Sequence, residues 1–405
     1  MSDISCVDAL PEGVPDEINS VTKQRWNLQD YILLLPFFLL FIGDFQLPIG
    51  DGVVTIPMGM VLVFPAIFWY LITGRLALSI SSLLLAGVLF CGLLGFLFTP
   101  LASFSRSVVG ALPVVFAALT IVFYERYPIS QEKAVRYMLA GGVVLAIAVI
   151  ILFVFSLGVS GDYYDQKLII ETPLGRSNYL AAFLLFLFAL SVPRNIFTSI
   201  LFLVAIFCTL SRGGVLALVM FFALIPFLRR KKVWILGVGV GAVVVVVWLL
   251  VAYLASDGIM EYVSTIFNLQ DAELDSVFNR FQLWSFGVDI FSDYPVFGVG
   301  PNTFRTFVEL AGDVENVWGV HNSVLLILLN YGIFGLIFYL IYLGVIYKNI
   351  LLAEKLDDRF FYLRAVFLVL LVFGFYEPLV GSAAFEVLLA LVFVLARARV
   401  RIIAN

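Results

Sequence analysis

Residues 177–228 read SNYLAAFLLFLFALSVPRNIFTSILFLVAIFCTLSRGGVLALVMFFALIPFL. Three apolar runs, 177–192, 196–210 and 213–228, are separated only by Pro193-Arg194-Asn195 and by Ser211-Arg212. Connections this short make consecutive helices antiparallel, so both 177–192/196–210 and 196–210/213–228 are expected to be neighbouring pairs. A helix crosses a hydrocarbon core about 30 Å thick with about 20 residues. Runs near that length recur through the chain. They lie at roughly 29–43, 53–72, 79–99, 107–124, 136–159, 177–192, 196–210, 213–228, 233–255, 321–345, 361–377 and 381–396. The first is short and extendable through Phe45–Ile49. The division between the last two, at Tyr376-Glu377-Pro378, is the weakest. The expected fold is therefore all-α: a polytopic membrane helix bundle of about twelve transmembrane helices with one long loop containing short helices.

Composition agrees. The chain is 62% hydrophobic and 13% charged, against about 25% charged in soluble domains. A net charge of −4 offers no footprint for nucleic acid; the expected solvent is the lipid bilayer. The first residues are polar and acidic, so no cleavable signal peptide is expected. Cys6, Cys91 and Cys208 are scattered, which argues against a disulfide framework or zinc site.

Lys and Arg set the orientation. With residues 1–28 as a cytoplasmic tail, spans one to nine over 29–255, an outer loop over 256–320, spans ten to twelve over 321–396 and a cytoplasmic tail over 397–405, most cations fall inside. Arg106, Lys167, Arg176, Arg212, Arg280 and Arg305 fall outside. Arg176 opens a span, Arg212 is wedged between two spans, and Arg280 lies in the loop. Ionisable groups so placed face a bundle interior or wet cavity. The bland readings are a helix cap for Arg212, a snorkelling side chain for Arg280 and headgroup contact for Arg106 and Lys167. In the loop, an amphipathic helix is expected from Asp275 or Ser276, with Phe278, Phe281, Trp284 and Val288 as its apolar stripe and Trp284 as an interface anchor. Asp44 and Asp51 read as solvated loop residues.

His321 is the only histidine. It opens H-N-S-V-L-L-I-L-L-N-Y-G-I-F-G. At about 100° per residue, Gly332 lies about 20° and Gly335 about 40° from His321, so all three are expected on one helical face. Such glycines admit a close neighbour. A neutral imidazole accepts a proton, which makes His321 the candidate general base.

These residues resemble the O-antigen ligase/O-antigen polymerase family of bacterial envelope membrane proteins. The ligase pattern, His-[Asn/Ser/Gln], nine residues, Gly-x-x-Gly, is met by His321-Asn322 and Gly332-Ile-Phe-Gly335. Ser211-Arg212-Gly213-Gly214, the stretch 295–304 (PVFGVGPNTF) and 175–181 (GRSNYLA) are similar to other recurring segments, and the likeness covers roughly 170–340. Many members carry a glutamate two positions before the first glycine. Here that position is Asn330, which leaves His321 without the acidic neighbour expected.

The resemblance implies an enzyme of the inner membrane with both termini cytoplasmic and its active site on the periplasmic face. It would transfer a glycan from an undecaprenyl-diphosphate carrier to lipid A–core (a ligase) or to a second lipid-linked glycan (an O-antigen or exopolysaccharide polymerase). In that reaction His321 takes the acceptor's proton, and Arg176, Arg212, Arg280 and, more weakly, Arg305 bind the diphosphate bidentately. Asn322, Gly332, Gly335 and Trp284 support the site. Single displacement inverts the anomeric centre. With one histidine and no D-x-D element, neither metal nor other cofactor is expected. A lipid-linked glycan transporter would need polar groups along the whole crossing, and the spans are nearly bare. A peptidoglycan-type polymerase would use an acidic base in an outer loop.

Overall fold

The computed structural model describes residues 28–49, 52–73, 78–127, 129–159, 167, 169–229, 271–311 and 319–404. The expected span at 233–255, most of the N-terminal tail, Cys6, Asp51 and the start of the 256–320 loop lie outside the described residues.

Apolar runs become helices α1 (Leu28–Leu39), α2 (Met58–Thr73), α3 (Ile80–Phe98), α4 (Phe104–Arg126), α5 (Gln131–Val159), α6 (Ser177–Ser191), α7 (Ile196–Cys208) and α8 (Arg212–Arg229). After the undescribed stretch come α9 (Asp271–Asp293), α10 (Phe304–Ala311), α11 (Ser323–Leu356), α12 (Phe360–Phe373) and α13 (Ala383–Ala404). Among the described residues α3, α4, α5, α8 and α11 are long and apolar enough to cross a bilayer, and α6, α7 and α12 are shorter apolar helices.

Surface and centre divide as a helical membrane protein requires. Large apolar side chains point outward at helical spacing: Phe90, Leu93 and Leu97 on α3, Val144, Ile147, Ile151 and Val154 on α5, and Phe197, Ile200 and Val204 on α7. A water-facing monomer does not expose apolar stripes on that scale. By contrast, every residue of α6 from Leu180 to Ser191 and of α13 from Ala383 to Ala396 is buried. Apart from Glu386 and Ser191 these stretches are apolar all round, and they form the centre. Helix α3 packs on α11, α13 on α4 and α11, and α12 on α6, α8 and α11.

Three expectations change. The fold is not purely helical: β1 (Asp44–Ile49) and β2 (Gly52–Pro57) form an antiparallel hairpin, with Asp44 opposite Pro57 and Ile49 opposite Gly52. Val53, Val54, Thr55 and Ile56 are β-branched and follow a Gly-Asp-Gly turn sequence, a strand signal that outweighs plain hydrophobicity. Helix α2 consequently starts at Met58. Next, α6 and α7 do pack as a pair, but α7 and α8 meet only near their junction, and α8 packs on α12 and α6 instead. Leu210, with φ of 53°, turns the chain there, so a short connection does not impose side-by-side packing. Finally, α9 buries Leu283, Gly287 and Ile290 against α11 while Phe281 and Val288 are exposed. The stripe that packs lies one step round from the aromatic one.

Candidate functional site

Asn322 caps α11: its Oδ1 accepts from the Val324 and Leu325 amides, both at 3.0 Å. The helix therefore begins at Ser323, and His321 lies outside it with φ of 48°, a left-handed conformation uncommon for a side-chain-bearing residue. The shared helical face expected for His321, Gly332 and Gly335 does not exist. Its neighbours fix the strained residue instead. Trp284 Nε1 donates to the Val320 carbonyl (2.7 Å). The Ser323 amide donates to the Gly374 carbonyl (2.8 Å), and Ser323 Oγ donates to the Glu377 carbonyl (3.1 Å) while accepting from the Val380 amide (3.3 Å). Residues 320–323 are thus stitched to the 374–382 turn between α12 and α13.

That turn brings Glu377 to His321. The Glu377 side chain is 4% exposed, with Oε2 4.0 Å from His321 Nδ1. Its Oε1 accepts from Asn178 Nδ2 (2.6 Å) and from Arg280 Nη2 (3.2 Å). The Arg280 guanidinium also lies over the Tyr376 ring, 5.0 Å from its centroid, and Nη1 donates to the Tyr376 carbonyl at 3.4 Å. A carboxylate this buried requires such partners. Asn178, in the first turn of α6, accepts at Oδ1 from Ser211 Oγ (2.6 Å), which itself accepts from the Gly214 amide and so caps α8. Tyr179 OH donates to the Pro378 carbonyl (2.7 Å). One polar network therefore joins the N-termini of α6, α8 and α11 to α9 and the 374–382 turn.

The predicted residues distribute around it. Arg280 and His321 flank Glu377. Arg176, the N-cap residue of α6, lies two positions before Asn178 and pairs with Glu171 (3.5 Å). Arg212 is exposed, is the first residue of α8 and follows Ser211 directly. Arg305 stands apart: on α10 it bonds Glu309 (2.9 Å), which Arg106 also bonds (2.7 Å). The two guanidiniums, Arg106 first, hold the Glu309 carboxyl below the usual carboxylate range. Arg106 donates to Thr306 as well (3.2 Å), so its headgroup reading gives way to a clip between α4 and α10.

Gly332 and Gly335 act at a distance from His321. Gly332 has φ 66° and ψ −169°, which break α11. The loop segment 295–302 docks at the break: the Val299 amide donates to the Leu329 carbonyl (2.7 Å), and the Ile333 amide donates to the Pro295 carbonyl (2.9 Å). Backbone groups freed by the break are satisfied there. Asn330 accepts from the Asn302 amide (3.2 Å), so its side chain serves the loop. The expected lack of an acidic neighbour at His321 is corrected by Glu377. Sequence reading missed Glu377, Asn178 and Ser211. The available signal was an acidic residue inside an otherwise apolar Tyr-Glu-Pro junction between two spans.

Chemically, the cluster offers one imidazole beside a carboxylate, with arginines on the adjoining segments. No curated protein matches the chain. A family model described as O-antigen ligase matches residues 197–340, a stretch that holds Arg212, Arg280, Trp284, Arg305, His321, Gly332 and Gly335 but neither Arg176 nor Glu377. Across those residues the chain carries the domain of the O-antigen ligase family.

Proposed function

We propose that the protein is an O-antigen ligase of the bacterial inner membrane. In this reading twelve spans place both termini in the cytoplasm and the Glu377 network at the periplasmic face. The observation that carries it is the meeting of His321 and Arg280 on Glu377, with Asn178 and Ser211 tying in the segments of Arg176 and Arg212.

Transfer from an undecaprenyl-diphosphate-linked glycan to a lipid A–core hydroxyl needs a base and a home for the leaving charge. His321 takes the acceptor proton while the acceptor oxygen attacks the anomeric carbon. The carbon–diphosphate bond breaks with inversion, and its electron pair leaves on the diphosphate. Arg176, Arg212 and Arg280 meet that charge; fixed cations so placed favour the transition state without reorganisation. Arg305 contributes only at the margin, since it lies on α10, outside the Glu377 network. Diphosphate is a good leaving group, and the reaction is metal-independent: EDTA should leave transfer unchanged.

The test is complementation of a strain lacking the gene. Deletion should give core-only lipid with accumulated long carrier-linked chains. The wild-type gene should restore banded lipopolysaccharide. His321→Ala, inserted at normal level, should not. Core plus one repeat in the deletion strain would instead assign a polymerase using the same donor, and restoration by His321→Ala would remove the base assignment.

A further inference from the structure

Resting on that reading, we infer that Glu377 is the positioning residue for His321: anchored through Oε1, it presents Oε2 to Nδ1 and so keeps the proton on Nδ1 and the lone pair on Nε2.

The two oxygens of the carboxylate are differently engaged. Oε1 is taken by Asn178 and Arg280, from α6 and α9. Oε2 faces the imidazole at 4.0 Å. Nδ1 is buried and has no hydrogen-bond partner among the described residues. The 27% exposure of the His321 side chain therefore lies on atoms other than Nδ1. A buried N–H with one carboxylate oxygen facing it has a single place to donate. Closing 4.0 Å to hydrogen-bond length needs a shift of about 1 Å, and catalytic contacts that are long without substrate commonly tighten when it binds. The backbone on both sides of the gap is fixed, by Ser323 bonding the Gly374 and Glu377 carbonyls and by Trp284 bonding Val320.

The consequence is directional. With Nδ1–H turned to Glu377, Nε2 is the atom that takes the acceptor's proton, and the resulting imidazolium sits against a carboxylate. Nucleophile activation of this kind uses a base that is itself oriented by a third group. Glu377 touches no reacting atom in this scheme.

Glu377→Gln gives a discriminating test. Its carbonyl oxygen can still accept from Asn178 and Arg280, which turns its NH₂ toward Nδ1. Nδ1 must then accept, the proton moves to Nε2, and the base is lost while the anchors remain. Because the chain has one histidine, ¹⁵N-histidine NMR of the detergent-solubilised protein, purified without a histidine tag, reads this tautomer directly and without substrate. The expected result is Nδ1–H in the wild type and Nε2–H in Glu377→Gln. In transfer assays with extracted lipid-diphosphate-linked glycan and lipid A–core, kcat should fall about 100-fold or more, the donor KM should move less than about threefold, and thermal stability should hold. Glu377→Asp, which keeps the carboxylate, should recover part of kcat.

An unchanged tautomer, or full kcat in Glu377→Gln, would overturn the inference. Loss of transfer in His321→Ala together with full activity in Glu377→Gln would overturn it alone. Retained transfer in His321→Ala would overturn the reading beneath it. If Glu377→Gln does not fold, Asn178→Ala, which removes one anchor and keeps the carboxylate, should lower kcat with the donor KM kept; wild-type kcat there would count against the clamp.

Discussion

Asp44 shows how one side chain writes itself into stability. Burial pushes its carboxyl up to about 7 from 3.8, and Oδ1 has no partner among the described residues. The folded state therefore holds the proton more tightly than the unfolded chain. The stabilising contribution is fully present below about pH 4 and is lost as pH rises through 7. Asp44→Asn removes the charge and should raise the thermal midpoint at pH 8, with the gain shrinking toward pH 5; a gain equal at all pH values would refute this assignment. At this scale the sequence pointed to candidate chemistry by type and by exception: the single histidine, and the arginines that the expected orientation places outside. It could not disclose Glu377, because its bond to Asn178 spans 199 positions and no local pattern links Tyr-Glu-Pro to Arg-Ser-Asn. Asp44, read as a solvated loop residue, was misplaced for a related reason: what buries it is tertiary.

Elements were legible where period and length agreed. The apolar runs of α3, α4, α6 and α7 coincide with helices to within a few residues, since lipid-facing and buried faces are both apolar and only length matters, whereas α11 continues to Leu356, well past the expected end at 345. The hairpin was not, because a strand and a short span share a composition. The interior of α11 was not either: two glycines read as close packing, whereas Gly332 is a break into which the loop docks. Gly332→Ala forces a side chain into a positive-φ position that already touches the Val296 carbonyl. It should cost more than about 2 kcal/mol and be seen as lower yield and a lower midpoint in fluorescence-detected size exclusion. Unchanged stability would mean that the break relaxes. Trp284→Phe should keep the fold but lose the hydrogen bond to Val320, worth about 1 kcal/mol, and transfer should drop with it if that bond sets the conformation of His321.

The whole molecule is read by topology. Arg305→Cys and Lys348→Cys, each in a background lacking Cys6, Cys91 and Cys208, place one thiol on either side in the proposed orientation. A membrane-impermeant maleimide applied to cells with a permeabilised outer membrane should label the first and not the second; the reverse would invert the assignment of the site to the periplasm. Lys348 is exposed near the far end of α11, so failure to label reports sidedness rather than burial. The candidate site is a whole-molecule property: the N-terminal ends of α6, α8 and α11, α9 and the 374–382 turn each supply one piece.

The docked segment 295–302 has a consequence for biogenesis. Its seat is made by Gly92 and Gly95 of α3, Gly110 of α4 and the break in α11. The first three are synthesised well before the segment and the last just after it. A nascent chain must therefore carry this strip of loop uncommitted until α11 enters the membrane, and only then can both close. Capture of the loop and the break in α11 go together, since each satisfies backbone groups of the other.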